Sequence, residues 1–293
     1  MNSAELTQYG LLETSGDDAR SFLHAQLTND VEGLGTDRAR YAGWCSAKGR
    51  LLASFLVVPH EGGFVLQLAS DLAPAIVKRL SMFILRSKVK VLDASASWVQ
   101  FGAWGAGAEA TLAGLGIEPP AEDLRIARSA NVIAVRISAQ RFLLIAPHGE
   151  RSRLASLPGI THESGWMLEE IRAGRPLITQ ATQDQFVPQM VNYERFGAVD
   201  FQKGCYPGQE IVARAQYRGQ VKRRMVRVRA PVALRAGQDL YSDDLPGQSS
   251  GTVVNAAGDE ALAVTQISTL EKGVLRAEPG GAPLEVLPLP YAA

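Results

Sequence analysis

The stretch Lys-Gly-Cys-Tyr-Pro-Gly-Gln-Glu, residues 203–210, most restricts how this chain folds. Pro207 and Gly208 interrupt regular structure, and residues 209–214 then have the pattern of a helix that begins directly after them. One of only two cysteines, Cys205, therefore lies in a turn before a helix. A structural cysteine usually lies within an apolar run, so packing alone explains this position poorly.

The composition describes a neutral chain that is long enough for two domains. It has 293 residues, and 30 basic residues balance 30 acidic ones, so no global field attracts nucleic acid or a membrane. Two cysteines are too few for a disulfide scaffold, an iron–sulfur cluster or a cysteine-rich zinc site, and we predict no metal ligands. Residues 1–10 lack the basic flank and apolar stretch of a secretory signal, so we expect none, and no run reaches ~18 apolar residues. We expect a reduced, cytoplasmic protein without a membrane partner.

Helix and strand patterns alternate over the first two-thirds of the chain. Strands are predicted at 38–46, 50–59, 63–69, 88–92, 98–104, 132–137 and 142–145, the last two as a hairpin. Helices are predicted at 16–30, 72–85, 108–115, 150–157 and 166–173. These elements form two units of similar character, roughly residues 1–95 and 96–219.

The pattern changes near Arg223 to short alternating strands with glycine-rich turns. Strands are predicted at 251–255, 261–267 and 284–287, without a convincing helix. We therefore predict an α+β fold in which a multi-lobed domain, residues 1–219, precedes a small antiparallel β-barrel domain, residues 220–293.

The position of Cys205 favours a reactive thiol. Unpaired N–H groups and the positive end of the helix dipole stabilise a thiolate, and Lys203 adds a cation nearby. The four histidines are scattered, so the sequence identifies no catalytic base and disfavours a Cys-His protease. In the structural alternative, which stays open, Gly204 and Gly208 shape a tight connection and the cysteine fills a small space. Cys45, within a predicted strand, is expected to pack rather than react.

Several segments together resemble the YgfZ-type folate-binding proteins, which are related to the glycine-cleavage T-protein, an aminomethyltransferase. The most specific of them is the eight-residue motif around Cys205. The similar segments are 15–30, 47–50, 170–176, 186–192, 203–214 and 287–291. The likeness therefore extends along most of the chain.

The resemblance implies a multi-lobed T-protein-like module, followed by a β-barrel, that binds tetrahydrofolate, polyglutamylated forms included, in a central channel. Family members support the assembly or repair of iron–sulfur proteins, especially under oxidative stress, and through that the thiolation of tRNA. The implied partners are iron–sulfur assembly or client proteins, with a weak tRNA contact. The implied role is that of an accessory protein rather than a classical enzyme, and Cys205 is the residue on which the family depends.

The resemblance also implies which residues contact the folate. Trp166 matches a tryptophan that family members use at the folate site, and Tyr9 falls where they have a second aromatic residue. Glu170, or its neighbour Glu169, offers carboxylate acceptors for the N–H groups of a pterin. The structural alternatives are a core tryptophan and solvated charges.

Arg214 opens a basic cluster that is a candidate anion site. Arg227 and Arg229 share one face of an alternating strand, so polyglutamyl tails or RNA phosphates both suit it. The cluster consists of Arg214, Arg218, Lys222, Arg223, Arg224, Arg227 and Arg229. A solvated strand face is the structural alternative.

Two other classes of function stay open. The first is transfer of a one-carbon unit, aminomethyl or methyl, to tetrahydrofolate. The Asp-x-Ser pattern that the T-protein family has before its first helix is absent here, and the nearest acid is Glu5. The second is an RNA-binding module, for which the basic run is short and the aromatic pattern of an RNA-recognition strand is missing.

Overall fold

The computed structural model describes residues 1–129, 131–219 and 221–291, and it confirms the α+β class. The strands are β1 (Asn2–Glu5), β2 (Tyr9–Ser15), β3 (Arg40–Cys45), β4 (Leu51–His60), β5 (Gly63–Ala69), β6 (Lys90–Asp93), β7 (Trp98–Trp104), β8 (Ile126–Arg128), β9 (Ile133–Ser138), β10 (Arg141–Pro147), β11 (Arg223–Arg229), β12 (Asp239–Ser242), β13 (Ser249–Ala257), β14 (Glu260–Gln266), β15 (Leu275–Arg276) and β16 (Glu285–Leu287). The α-helices are α1 (Ala19–Gln26), α2 (Ala73–Ser81), α3 (Ala108–Gly114), α4 (Arg151–Leu154), α5 (Ser164–Arg172), α6 (Gln209–Tyr217) and α7 (Ile267–Lys272).

Two five-stranded sheets form the first two-thirds of the chain. One has the order β1-β7-β10-β9-β8 and the other the order β3-β4-β5-β2-β6. The predicted hairpin is confirmed, because β9 and β10 pair antiparallel with Leu143 opposite Val135. Phe101, Phe142 and Leu144 of the first sheet pack in one core with Leu112 of α3 and Leu154 of α4.

The C-terminal part is a curled antiparallel sheet, a half-barrel with the order β15-β12-β13-β14-β11-β16. Its core contains Val228, Leu240, Val253 and Ala263. A helix in this part was not predicted, yet α7 follows β14 directly. The hydroxyl of Thr269 donates to the carboxylate of Asp244 at 3.2 Å, and this tertiary contact is invisible to sequence periodicity.

The chain forms two compact units that are interleaved in sequence. The first unit contains residues 1–25, 30–42 and 55–166, and the second contains residues 26–29, 43–54 and 167–293. Residues 167–219 thus belong to the same unit as the C-terminal sheet. The division into domains 1–219 and 220–293 stays a prediction.

Most predicted helices are longer than the observed ones. Helix α2 ends at Ser81 instead of residue 85, and Met82 and Leu85 beyond it are exposed. The apolar run continues past the helix, so its pattern overestimates the helical length. Among the described residues, none of the helices is both long and apolar enough to cross a membrane.

Trp166 packs closely within the first unit. Its ring meets Trp104 edge-on, with 5.9 Å between the ring centroids, and the guanidinium carbon of Arg141 lies 4.5 Å from the ring centre. A Cβ atom added at Gly102 of β7 would lie 2.8 Å from Trp166 Cδ2. The tryptophan is only 3% exposed. Because Gly102 has no side chain, it leaves room for the buried Trp166 ring.

We expect Gly102→Ala to destabilise the protein by ~1–3 kcal/mol, because the added methyl group overpacks the site beside Trp166. Gly114→Ala is the matched control, because a Cβ atom there meets nothing within 4 Å and lies in helix α3. It should leave stability unchanged or raise it by up to ~1 kcal/mol. Urea unfolding measures both variants, and equal midpoints would contradict the packing argument.

Candidate functional site

The two cysteines of the second unit have opposite environments. Cys205 is exposed, and Cys45 at the end of β3 is buried. Burial raises the pKa of the Cys45 thiol, and the carboxylate of Asp184 raises it further. Cys45 is therefore a protonated interior residue, whereas Cys205 is accessible to other molecules.

A contact between two turns fixes the segment that carries Cys205. Gly208 has φ 78° and forms the N-cap of α6, so the predicted helix start at residue 209 is confirmed. A Cβ atom on Gly208 would lie 2.7 Å from the backbone nitrogen of Gly49, and one on Gly49 would lie 2.8 Å from Cβ of Ile211. The two backbones therefore approach each other where no side chain fits.

Lys203 anchors the same segment. Its ammonium donates to the carbonyl oxygens of Leu27 at 3.1 Å and Gly204 at 3.2 Å. The nitrogen also lies 4.8 Å from the centre of the Tyr206 ring. The structure thus gives Lys203 a positioning role, and its predicted effect on the thiolate stays a prediction.

Tyr206, next to Cys205, points into the interior. Burial raises the pKa of its phenol, and the nearby Cys45 and Asp200 raise it further. Its hydroxyl has no hydrogen-bond partner among the described residues. The side chains of two adjacent residues therefore lie in contrasting environments, Tyr206 inside and Cys205 at the surface.

Side-chain hydrogen bonds that sequence reasoning missed fix the backbone around the Cys205 segment. Thr28 Oγ1 donates to the carbonyl of Ala198 at 2.7 Å and accepts from the backbone nitrogen of Gly43 at 2.8 Å. Gln189 Nε2 donates to the carbonyl of Val212 in α6 at 2.7 Å. These residues are distant in sequence, and only the fold brings them together. The motif Phe-Val-Pro-Gln at 186–189, which contains Gln189, was the one sequence signal for these contacts.

The predicted folate contacts divide between the two units. Tyr9 and Trp166 belong to the first unit, whereas Glu170 and Arg214 belong to the second, together with Cys205 and Lys203. Their roles toward folate stay predictions.

In the first unit, Tyr9 borders a buried amide pair that sequence reasoning did not identify. Gln100 Nε2 donates to the Tyr9 carbonyl at 3.0 Å, and Gln67 Nε2 donates to Gln100 Oε1 at 2.7 Å. Both glutamines are buried and Tyr9 is half-buried. The alternation of each strand could have predicted the sheet face on which its glutamine lies. It could not have predicted the hydrogen bond between the two glutamines.

In the second unit, Glu170 is half-buried on α5, and Arg214 is exposed on α6. Oε1 of Glu170 lies 3.9 Å from Nη1 of Arg175, and the Glu170 carbonyl accepts from the Arg175 backbone nitrogen at 3.0 Å. Glu170 is therefore partly neutralised by an arginine of its own segment.

Carboxylates compensate much of the predicted basic cluster. Arg227 and Arg229 do share a face, but both approach the buried Glu260, at 3.6 and 3.9 Å. Arg229 also pairs with Glu285 at 2.9 Å, and Arg224 pairs with Glu194. An anion site formed by Arg227 and Arg229 is therefore weaker than the sequence predicts, while Arg214, Arg218 and Lys222 are exposed.

We expect only Cys205 to react with 5,5′-dithiobis(2-nitrobenzoate) in the native protein, because the Cys45 thiol is buried and its pKa is raised. One equivalent should react rapidly, and a second only in guanidinium. Cys205→Ser should remove the rapid phase, and Cys45→Ala should keep it. Two thiols of equal rate in the native protein would contradict this assignment.

The curated proteins that resemble this chain indicate one family. No protein-family model matches the chain. The tRNA-modifying protein YgfZ of Vibrio vulnificus strain CMCP6 is 32% identical over 87% of this chain and 77% of its own length. The protein of that name from Sodalis glossinidius is 32% identical over 98% of this chain and 92% of its own length.

The fold resembles that of the glycine cleavage system aminomethyltransferase T from Bartonella henselae. The TM-score is 0.75 at 17% identity, over 99% of this chain and 85% of that one. The T-protein-like fold predicted from the sequence is thereby confirmed. At 32% identity over most of both chains, the chain belongs to the YgfZ family of tRNA-modifying proteins.

Proposed function

We propose that this protein is a tetrahydrofolate-dependent accessory protein in the assembly or repair of iron–sulfur proteins, and that it affects tRNA modification through this role. Cys205 is its functional thiol. Membership of a family of tRNA-modifying proteins and the T-protein-like fold support the proposal. Its partners are iron–sulfur assembly or client proteins, and its site of action is the cytoplasm.

The exposure of Cys205 is the observation that carries this proposal. Hydrogen bonds of Thr28 and Lys203 hold the segment before Cys205, and the close contact of Gly208 with Gly49 holds the turn after it. A cysteine that only fills space belongs in the interior, where Cys45 lies. An exposed thiol on a fixed backbone is suited to meeting another macromolecule.

The chemistry that we propose for Cys205 is a transient contact with a partner. In a ligand contact the thiol releases its proton to water, and the thiolate donates an electron pair to an iron of the client cluster as a labile ligand, such as water, leaves that iron; no atom changes oxidation state. Lys203 and Gly208 hold the backbone on both sides of the sulfur. The partner supplies the iron, because this chain has only two cysteines.

Each unit, taken by itself, offers groups of the kind that a folate requires. Tyr9 offers a half-buried aromatic ring, and Glu170 offers a half-buried carboxylate as an acceptor for pterin N–H groups. Trp166 is buried against Arg141 and Trp104, so its ring offers no open face to a ligand. Arg214 provides an exposed cation for a polyglutamyl tail. Tetrahydrofolate supplies a carrier of one-carbon units when it is bound.

The transferase alternative lacks a specific supporting observation. The carboxylate of Glu5, the nearest counterpart of the missing aspartate, lies 3.0 Å from Nη2 of Arg151. This ion pair engages the carboxylate that would have to act as the proton acceptor. We therefore propose the accessory role.

We expect Cys205→Ser to reduce rescue of iron–sulfur enzyme activity to the level of the empty vector in a bacterial strain that lacks its own family member. A serine hydroxyl is a far poorer ligand and nucleophile at neutral pH than a thiolate. Cys45→Ala is the matched control and should retain rescue. Circular dichroism checks that both variants fold, and full rescue by the serine variant would refute the role of Cys205.

We expect tetrahydrofolate to quench the tryptophan fluorescence of the purified protein saturably. Trp166→Phe should reduce the quenching only in part, because Trp104 and Arg141 cover its ring. Trp98→Phe, at a half-buried tryptophan beside His60, should retain the quenching in full. Arg214→Ala should weaken polyglutamate binding about two- to fivefold, the size of one exposed ion pair, and leave monoglutamate binding unchanged. Quenching that never saturates would contradict the folate part of the proposal alone.

A further inference from the structure

The second unit contains a cavity of about 1470 Å³ that the proposed function does not use. It lies where the segment after α6, strand β11, helix α7 and the C-terminal segment 286–291 meet. Its walls are largely apolar. They include Val221, Val226, Leu270, Val286, Leu287 and Leu289. Leu270 and Val286 are 36% and 50% exposed, so part of this apolar surface is open to solvent.

The charged residues of the cavity have a net positive balance. Arg195, Arg224 and Lys222 line it, and Glu194 is the one carboxylate among the lining residues that the structure describes. Glu194 pairs with Arg224 and lies 3.9 Å from Nε of Arg195. One negative charge thus faces three positive ones, and the lining has a net charge of about +2.

Two of these cations have donors that the protein does not use. The three side-chain hydrogen bonds of Arg224, to Gln189, Asn192 and Glu194, all come from Nη1. Its Nε and Nη2 have no acceptor among the described residues. The ammonium of Lys222 likewise has no partner within the described part of the chain. Unused donors beside an apolar wall fit a ligand with an anionic end.

Tyr291, the remaining titratable side chain among the lining residues, stays neutral over a wide pH range. Burial raises the pKa of Tyr291 to about 12, and its hydroxyl donates to the carbonyl of Gly174 at 2.8 Å. The tyrosine therefore adds no negative charge that would oppose an anion.

We propose that this cavity binds a small amphiphile with an apolar body and a single anionic end group, such as a carboxylate, sulfonate or phosphate. The apolar walls take the body, and Lys222 and the unused donors of Arg224 take the end group. A cationic amphiphile meets like charge here, and a neutral one leaves Lys222 and the unused donors of Arg224 without an acceptor. The cavity volume of about 1470 Å³ exceeds the roughly 300–1,000 Å³ of typical small-molecule sites, so it is large enough for such a ligand.

The test compares two probes that share a dodecyl chain, dodecanesulfonate and dodecyltrimethylammonium, below their micellar concentrations. Each competes with 8-anilinonaphthalene-1-sulfonate, whose fluorescence reports binding to the full-length protein. We expect the sulfonate to bind at least about fivefold more tightly, the effect of about 1 kcal/mol. Equal binding of the two probes would overturn the inference.

Matched variants locate the site. Lys222→Gln should weaken sulfonate binding about two- to fivefold, and Lys272→Gln, at an exposed lysine outside the cavity, should have no effect. Leu270→Asp should weaken it about tenfold or more, whereas Val274→Asp, at a partly exposed valine outside the cavity, should not.

Two results would overturn the assignment to this cavity. The first is an equal effect of the Lys222 and Lys272 variants, which keeps the test decisive even if Leu270→Asp fails to fold. The second is displacement of the sulfonate by tetrahydrofolate. Folate is also an anion with a flat body, so displacement would assign the cavity to folate instead.

Discussion

The position of the exposed thiol depends on one backbone contact, that of the turn at Gly208 with the turn at Ser46–Gly49. A Cβ atom at Gly208 would lie 2.7 Å from Gly49 Cα, and φ at both glycines is positive. Any other residue at position 208 meets both a conformational penalty and a steric clash. Helix α6 begins directly after this contact, so the helix start and the exposure of Cys205 have a common origin.

Buried hydrogen bonds allow an irregular segment to hold a fixed shape. Thr28 is fully buried, and its hydroxyl both donates and accepts. Losing such a group leaves buried backbone atoms unsatisfied, at a cost of ~1–3 kcal/mol. The backbone nitrogen of Asp200 also donates to the carbonyl of Thr28 at 2.9 Å. The segment that leads to Cys205 is therefore as constrained as a regular element, although it is neither helix nor strand.

The sequence predicted those features that depend on local pattern and missed those that depend on register. Strand β7 has the predicted bounds, because a nearly continuous apolar run there is followed directly by Gly105. The spacing of Arg227 and Arg229 predicted their common face. It could not predict that β14 places Glu260 directly opposite Arg229, and this pairing removes much of the charge that the pattern suggested. The Gln67–Gln100 pair was missed for the same reason.

Burial, rather than a neighbouring catalytic base, distinguishes the two thiols. Cys45 lies in the interior, where burial and Asp184 both keep its thiol protonated, so it cannot compete with Cys205 for a partner. The Cys205 thiol is exposed to solvent on a backbone that is fixed on both sides. Charged or basic groups of a partner can therefore reach the thiol and change its reactivity. Such a site needs no complete catalytic apparatus of its own. This property suits an accessory protein that acts on other proteins, because the chemistry is then completed only in the complex.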